Sequence, residues 1–157
     1  MGRVQDQAVG GWFADTDGGV EHRFPVRVYF EDTDLSGVVY HANYLRYMER
    51  ARSDMLRLAG IDQRAAFEAG EGAYAVADLR IRYAAPARLE NDLLVATRLR
   101  QVRAAAVLIH QRVSRGGETL SQAEVTAALV APNGRPRRQP AAWVEIYQRL
   151  LSTEEQK

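Results

Sequence analysis

The chain has 157 residues and a mass of 17.6 kDa, enough for one domain with a sizeable core but not for two large ones. With 46% hydrophobic and 26% charged residues and a mean hydropathy of -0.34 it reads as a folded globular chain, and it contains no apolar run long enough for a membrane-spanning helix. A formal net charge of +1 excludes the global field that recruits nucleic acid or acidic lipid, and the absence of cysteine excludes thiolate nucleophiles, disulfides and cysteine-bound metals. Carboxylates, hydroxyls and histidine remain. Twenty of the 21 basic residues are Arg, but 24 alanines accompany them, so the bias reads as compositional rather than as a phosphate-binding device. No secretory signal precedes Phe24, which makes a cytoplasmic location the expectation.

Residues 1–23 hold five of the twelve glycines and no sustained period, and they read as a mobile extension. Asp15-Thr16-Asp17-Gly18 resembles the opening of a calcium loop, but the closing position is Val26 rather than Glu, which rules it out. A domain is expected from 24 to 151, followed by a tail at 152–157. Phe24, Val26, Val28 and Phe30 alternate with polar neighbours as one face of a strand. Asp32 to Gly37 is turn chemistry. A long helix follows, with Asn43 as its cap, Tyr44, Tyr47, Met48, Ala51, Met55 and Leu58 as the buried stripe, and Gly60 as the stop. A shorter helical turn is expected over 63–69. From Ala73 to Ala131 the period of two returns in four runs separated by short links, with Arg115-Gly116-Gly117 as a hairpin turn, so the pairing is expected to be antiparallel. Pro140 opens a last helix with Trp143, Ile146, Tyr147 and Leu150 on one side. One amphipathic helix cannot bury its stripe alone, so the expected α+β architecture is a curved antiparallel sheet wrapped around it.

The densest set of reactive side chains, Asp32, Asp34, Ser36, His41 and Asn43, lies between the first strand and the long helix. A loop feeding a helix N-terminus places carboxylates beside free N–H groups that can meet developing negative charge. The same residues also suit a plain turn and cap. Ser36 with His41 lacks the Gly-x-Ser-x-Gly elbow of a serine hydrolase, and Asp32, Asp34 and His41 have no recognised metal-ligand spacing. His22 and His110 are isolated; Arg135, Arg137 and Arg138 read as a solvated basic turn.

The stretch from Arg27 to Tyr44, containing Glu31-Asp32-Thr33-Asp34-Leu35-Ser36-Gly37-Val38-Val39-Tyr40-His41-Ala42-Asn43, resembles the signature of the hydroxybenzoyl-CoA thioesterase family. Through Tyr47-Met48-Glu49-Arg50-Ala51-Arg52 it is most similar to the acyl-CoA thioesterase branch associated with the bacterial Tol-Pal envelope system. The resemblance implies a hotdog fold, a homodimer or homotetramer, and hydrolysis of an acyl-CoA at the subunit interface without metal or prosthetic group. It assigns the catalytic aspartate to Asp34 and an assisting role to His41. Gly37, Val38, Tyr40, Asn43 and Tyr44 are the candidate substrate-binding positions. The competing class is a hotdog module that binds acyl-CoA or acyl carrier protein without turnover, and an acyl dehydratase of the same fold is a second enzymatic alternative.

Overall fold

A computed structural model describes residues 10–151, so the expectations for 1–9 and for the tail at 152–157 lie outside the described residues. Six strands, β1 (Trp12–Thr16), β2 (Gly19–Arg27), β3 (Ala73–Tyr83), β4 (Asp92–Val102), β5 (Ala106–Arg115) and β6 (Glu118–Val130), form one sheet. Their order is β1-β2-β4-β5-β6-β3 and every pairing is antiparallel. The helices are α1 (His41–Leu58), α2 (Gln63–Glu68) and α3 (Ala141–Leu150). Tyr44, Tyr47, Met48 and Ala51 of α1 pack into one core with Val26, Val95, Val113, Leu120 and Val125 of the sheet, which is the expected wrapped-helix arrangement. Met55, Leu56, Ile61, Leu99 and Ile109 form a second core closed by Tyr147 of α3.

The alternation expected along β6 holds: Ala123, Val125, Ala127 and Leu129 are buried between more open neighbours. Arg115 and Glu118 pair across a two-residue Gly116-Gly117 turn, and Gly116 has the positive φ of 58° that such a turn requires. Asp62, rather than an internal residue, caps α2 by accepting the Ala65 N–H at 2.9 Å.

Three expectations are corrected. The extension does not run unstructured to position 23, because residues 12–27 form the β1–β2 hairpin. Asp54 of α1 anchors it, accepting from the Gly11 N–H at 2.8 Å and pairing with Nε2 of the fully buried His22 at 2.7 Å. Arg98 ties Glu21 and Thr16 to β4, and a side chain at Gly11 would fall 2.1 Å from the Arg23 carbonyl. The strand expected over 24–30 stops at Arg27, because the Asp32 carboxylate captures the Tyr29 N–H at 2.8 Å and winds Phe30–Asp32 into a 3-10 turn. Finally, Leu58 is exposed and Leu56 takes its place, drawn in where the chain reverses through an Ile61 N–H to Leu56 carbonyl bond of 2.9 Å.

Candidate active site

The loop from Asp32 to Tyr40 is a small hairpin closed from both strands. Asp34 N–H donates to the Val38 carbonyl at 3.0 Å, and Tyr40 N–H donates to the Asp32 carbonyl at 2.9 Å. Gly37 returns its N–H to the Asp34 carbonyl at 3.0 Å, and its φ of 80° is what places glycine there, since open space surrounds the position of a Cβ. The loop therefore ends directly on the first residue of α1.

Asp34 sits at the tip, exposed. Its Oδ1 accepts both the backbone N–H of Ser36, at 2.8 Å, and the Ser36 hydroxyl. These bonds, with the nearby His41, hold the carboxyl below its ordinary value. Oδ1 is occupied, and Oδ2 accepts no hydrogen bond among the described residues. His41 opens α1, with its ring 4.6 Å from that of Tyr40 and 6.2 Å from that of Tyr83. The N–H groups of His41 and Ala42 make no hydrogen bond among the described residues, as expected for the first turn of a helix, whereas the Asn43 N–H is taken by the Tyr40 carbonyl. The helix end thus presents two free donors among the described residues, and its first side chain, His41, is near enough to the Asp34 carboxylate to influence its ionisation.

The structure separates the remaining sequence candidates. Tyr40 is exposed and Val38 half-buried, bridged to Arg88. Asn43 and Tyr44 are buried and each bonds within the chain: Asn43 Nδ2 donates to the Asp32 carbonyl at 2.9 Å, and the Tyr44 hydroxyl accepts the Ala87 N–H at 2.9 Å. Asn43 does not cap α1, whose N-cap is Tyr40 with no side-chain bond. Beneath the loop, burial and then the Asp32 carboxylate raise the Tyr47 hydroxyl pKa, although that hydroxyl makes no direct hydrogen bond among the described residues. Sequence reasoning missed Tyr83, whose hydroxyl donates to the His41 carbonyl at 2.9 Å from the far end of β3. A contact across 42 positions leaves no periodic trace, so no local signal could have exposed it.

Around the loop, Tyr29, Phe30, Leu35, Tyr40 and Leu89 are exposed large apolar or aromatic side chains. A thioesterase-like superfamily model matches residues 28–150, from the end of β2 through α3. The chain belongs to the thioesterase-like superfamily. It is 45% identical over 107 residues to the acyl-CoA thioesterase YbgC of Haemophilus influenzae, covering 68% of this chain and 79% of that one. It is 40% identical over 127 residues to the acyl-CoA thioester hydrolase YbgC of Escherichia coli, covering 80% and 94%. Among solved structures, a probable thioesterase from Bartonella henselae superposes with a TM-score of 0.73 at 37% identity, covering 76% of this chain and 99% of that one. The superfamily's hotdog fold is the one described above, and the matched span includes the whole Asp34 loop and α1. No helix among the described residues is long and apolar enough to cross a membrane.

Proposed function

We propose that this protein is an acyl-CoA thioesterase in which Asp34 Oδ2 is the reacting oxygen. The observation that supports the reading is that the Asp34 carboxylate, ionised and with one oxygen unengaged, lies close enough to His41 to feel its charge, while His41 opens a helix whose first N–H groups are unpaired among the described residues. A thioester carbonyl is weakly resonance-stabilised and its thiolate leaves readily, so a carboxylate can attack it to give a mixed anhydride and expel CoA thiolate, with water then cleaving the anhydride to free acid and restoring Asp34. The alternative use of the same oxygen is to deprotonate an attacking water. Negative charge on the thioester oxygen meets the two N–H groups and the positive end of α1; one such donor is commonly worth about 3–4 kcal/mol in the transition state. His41, held between Tyr40 and Tyr83, orients the acyl group. Gly37, Val38 and Tyr40 form the approach, while Asn43 and Tyr44 act by holding the loop.

The active assembly is proposed as a homodimer joined along β3. That strand ends the sheet, runs 11 residues, and leaves Val76, Leu79 and Tyr83 exposed, a long unpaired edge of the kind that invites a second copy. Tyr83 touches His41, so a partner docked on this edge reaches the site and covers its apolar rim. An acyl-CoA substrate fits the cytoplasmic location expected above.

The test follows release of CoA thiol from short, long and aromatic acyl-CoAs. Asp34→Asn is expected to lower turnover by about three orders of magnitude or more, the scale of losing a reacting group. Turnover within threefold of the native protein would reject the role of Asp34. Saturable acyl-CoA binding without hydrolysis of any substrate would instead support the binding-module reading.

A further inference from the structure

Arg52 stands eleven residues beyond His41, about 16 Å along α1 at 1.5 Å per residue, and nothing in the hydrolytic reading uses it. It lines a cavity of about 100 Å³ between α1 and the sheet, enough for several water-sized molecules. The inner wall is apolar, built from Met55, Val107, Ile109 and Ala127. Tyr74 and Tyr147 also line it, but their hydroxyls are spent on each other, at 2.7 Å, and Tyr74 on Gln139.

The guanidinium is held in a fixed pose. Its Nη1 donates to Gln111 Oε1 at 2.9 Å, and Gln111 is wholly buried with its Nε2 bonded to the Met48 carbonyl at 2.8 Å and to Thr97 Oγ1 at 3.0 Å. The amide cannot flip without losing both bonds, so its oxygen must face Arg52. Arginine carries five N–H donors, and those of Arg52 beyond this one bond find no partner among the described residues. No carboxylate among the described residues reaches ion-pair distance. Glu49, one turn earlier and also lining the cavity, attracts it only through space, and burial lowers the guanidinium pKa. A half-buried cation with idle donors above an apolar wall is the complement of an anion on a hydrocarbon stem.

We propose that this cavity binds a small carboxylate with a short apolar body, gripped by the guanidinium of Arg52. The fork of N–H groups matches the two oxygens of a carboxylate, and the wall from Met55 to Ala127 takes the stem. Glu49 at the same cavity repels a second negative charge, so an acid with one free carboxylate is preferred over a diacid. The carboxylate has two sources, a free monocarboxylic acid or the distal carboxylate of an acyl group still joined to CoA.

The experiment is a titration of the full chain with butyrate, benzoate and succinate, read by backbone amide chemical shifts. Saturable shifts at Val107, Ile109 and Ala127 are expected, with butyrate or benzoate binding more tightly than succinate. Arg52→Met should weaken this binding at least tenfold, and Ala127→Leu, which fills the cavity but keeps the cation, should do the same. If only an acyl-CoA ending in a carboxylate is preferred over its methyl-ended counterpart, and that preference is lost in both variants, the source is the acyl group. The proposal is overturned by neither binding nor preference in the native protein, by binding unchanged in Arg52→Met, or by shifts confined to residues 34–41. The free-acid titration contains no thioester, so a failure of the hydrolytic reading leaves it standing.

Discussion

Asn43 offers a sharp test of how the Asp34 loop is held, because two physical accounts of this position predict opposite signs. If it matters only as a residue in the first turn of α1, replacing it with Asp adds a negative charge at the positive end of the helix and stabilises the protein by about 0.3–1 kcal/mol. The structure instead makes it a donor: Nδ2 reaches the Asp32 carbonyl at 2.9 Å and pins the base of the loop that carries Asp34. Asn43→Ala removes this one neutral hydrogen bond, and the Asp32 carbonyl keeps the Tyr40 N–H, so the expected loss is about 0.5–1.5 kcal/mol. At about 2–4 °C per kcal/mol for a chain of this size, the melting temperature falls by roughly 1–6 °C. Asn43→Asp sets carboxylate oxygen against carbonyl oxygen and should be less stable than Asn43→Ala at neutral pH. That carboxyl's folded-state pKa would be raised above its unfolded value, so the deficit shrinks as pH falls and the acid regains a proton to donate. Turnover should drop about tenfold, roughly 1.4 kcal/mol of barrier, with KM little changed, because Asp34 loses its placement rather than its chemistry. Thermal unfolding at two pH values and thiol-release kinetics read all of this. An Asn43→Asp protein as stable as the native one at neutral pH, or an Asn43→Ala protein with native turnover, would refute the reasoning.

Four other outcomes follow from the structure. Ser36→Ala removes the hydroxyl from Asp34 Oδ1, so the Asp34 pKa should rise toward the ordinary value and the acid limb of the pH profile for kcat/KM should move to higher pH; an unmoved limb would remove Ser36 from the account. His22 is held neutral by burial, which outweighs the attraction of Asp54, so its folded-state pKa lies below 6.5. Its stabilisation is therefore full above that value and is lost as pH falls through the folded-state pKa, and His22→Phe should flatten this part of the melting-temperature profile. Asp54→Ala leaves the buried His22 and Gly11 donors unpaired and should cost about 1–3 kcal/mol, with the β1–β2 hairpin exchanging its amides first in hydrogen-exchange measurements; uniform exchange would show that the hairpin is held otherwise. Leu79→Lys, in the middle of the exposed β3 edge, should shift sedimentation from dimer to monomer and lower turnover with it, and an unchanged assembly would move the subunit contact elsewhere.

Much of the architecture was legible because it is written in short-range terms. The period of two along β6, the Gly116-Gly117 turn, Gly60 with its φ of 94° after α1, and the stripe from Tyr44 to Met55 depend on residues within a turn or two of one another. The motif from Asp32 to Asn43 is likewise local, which is why Asp34 and His41 could be singled out before any coordinates. Long-range contacts were not legible. Alternation carried the first strand through Phe30, but the Asp32 carboxylate ended it at Arg27, and glycine content concealed a hairpin that exists because Asp54, 32 positions from His22, supplies its acceptor.

Sequence alone therefore determined the element types from α1 to α3, the antiparallel links among β3 to β6 and the loop that carries Asp34, since backbone propensity and hydrophobic period act between near neighbours. Only the tertiary structure decided that Asn43 grips Asp32 rather than capping a helix, that Tyr83 meets His41, and that Arg52 rests on Gln111 above an apolar cavity. Those outcomes turn on which donor finds which acceptor once distant segments are packed, and a hydrogen bond between residues 11, 42 or 59 positions apart leaves no mark on the spacing of either.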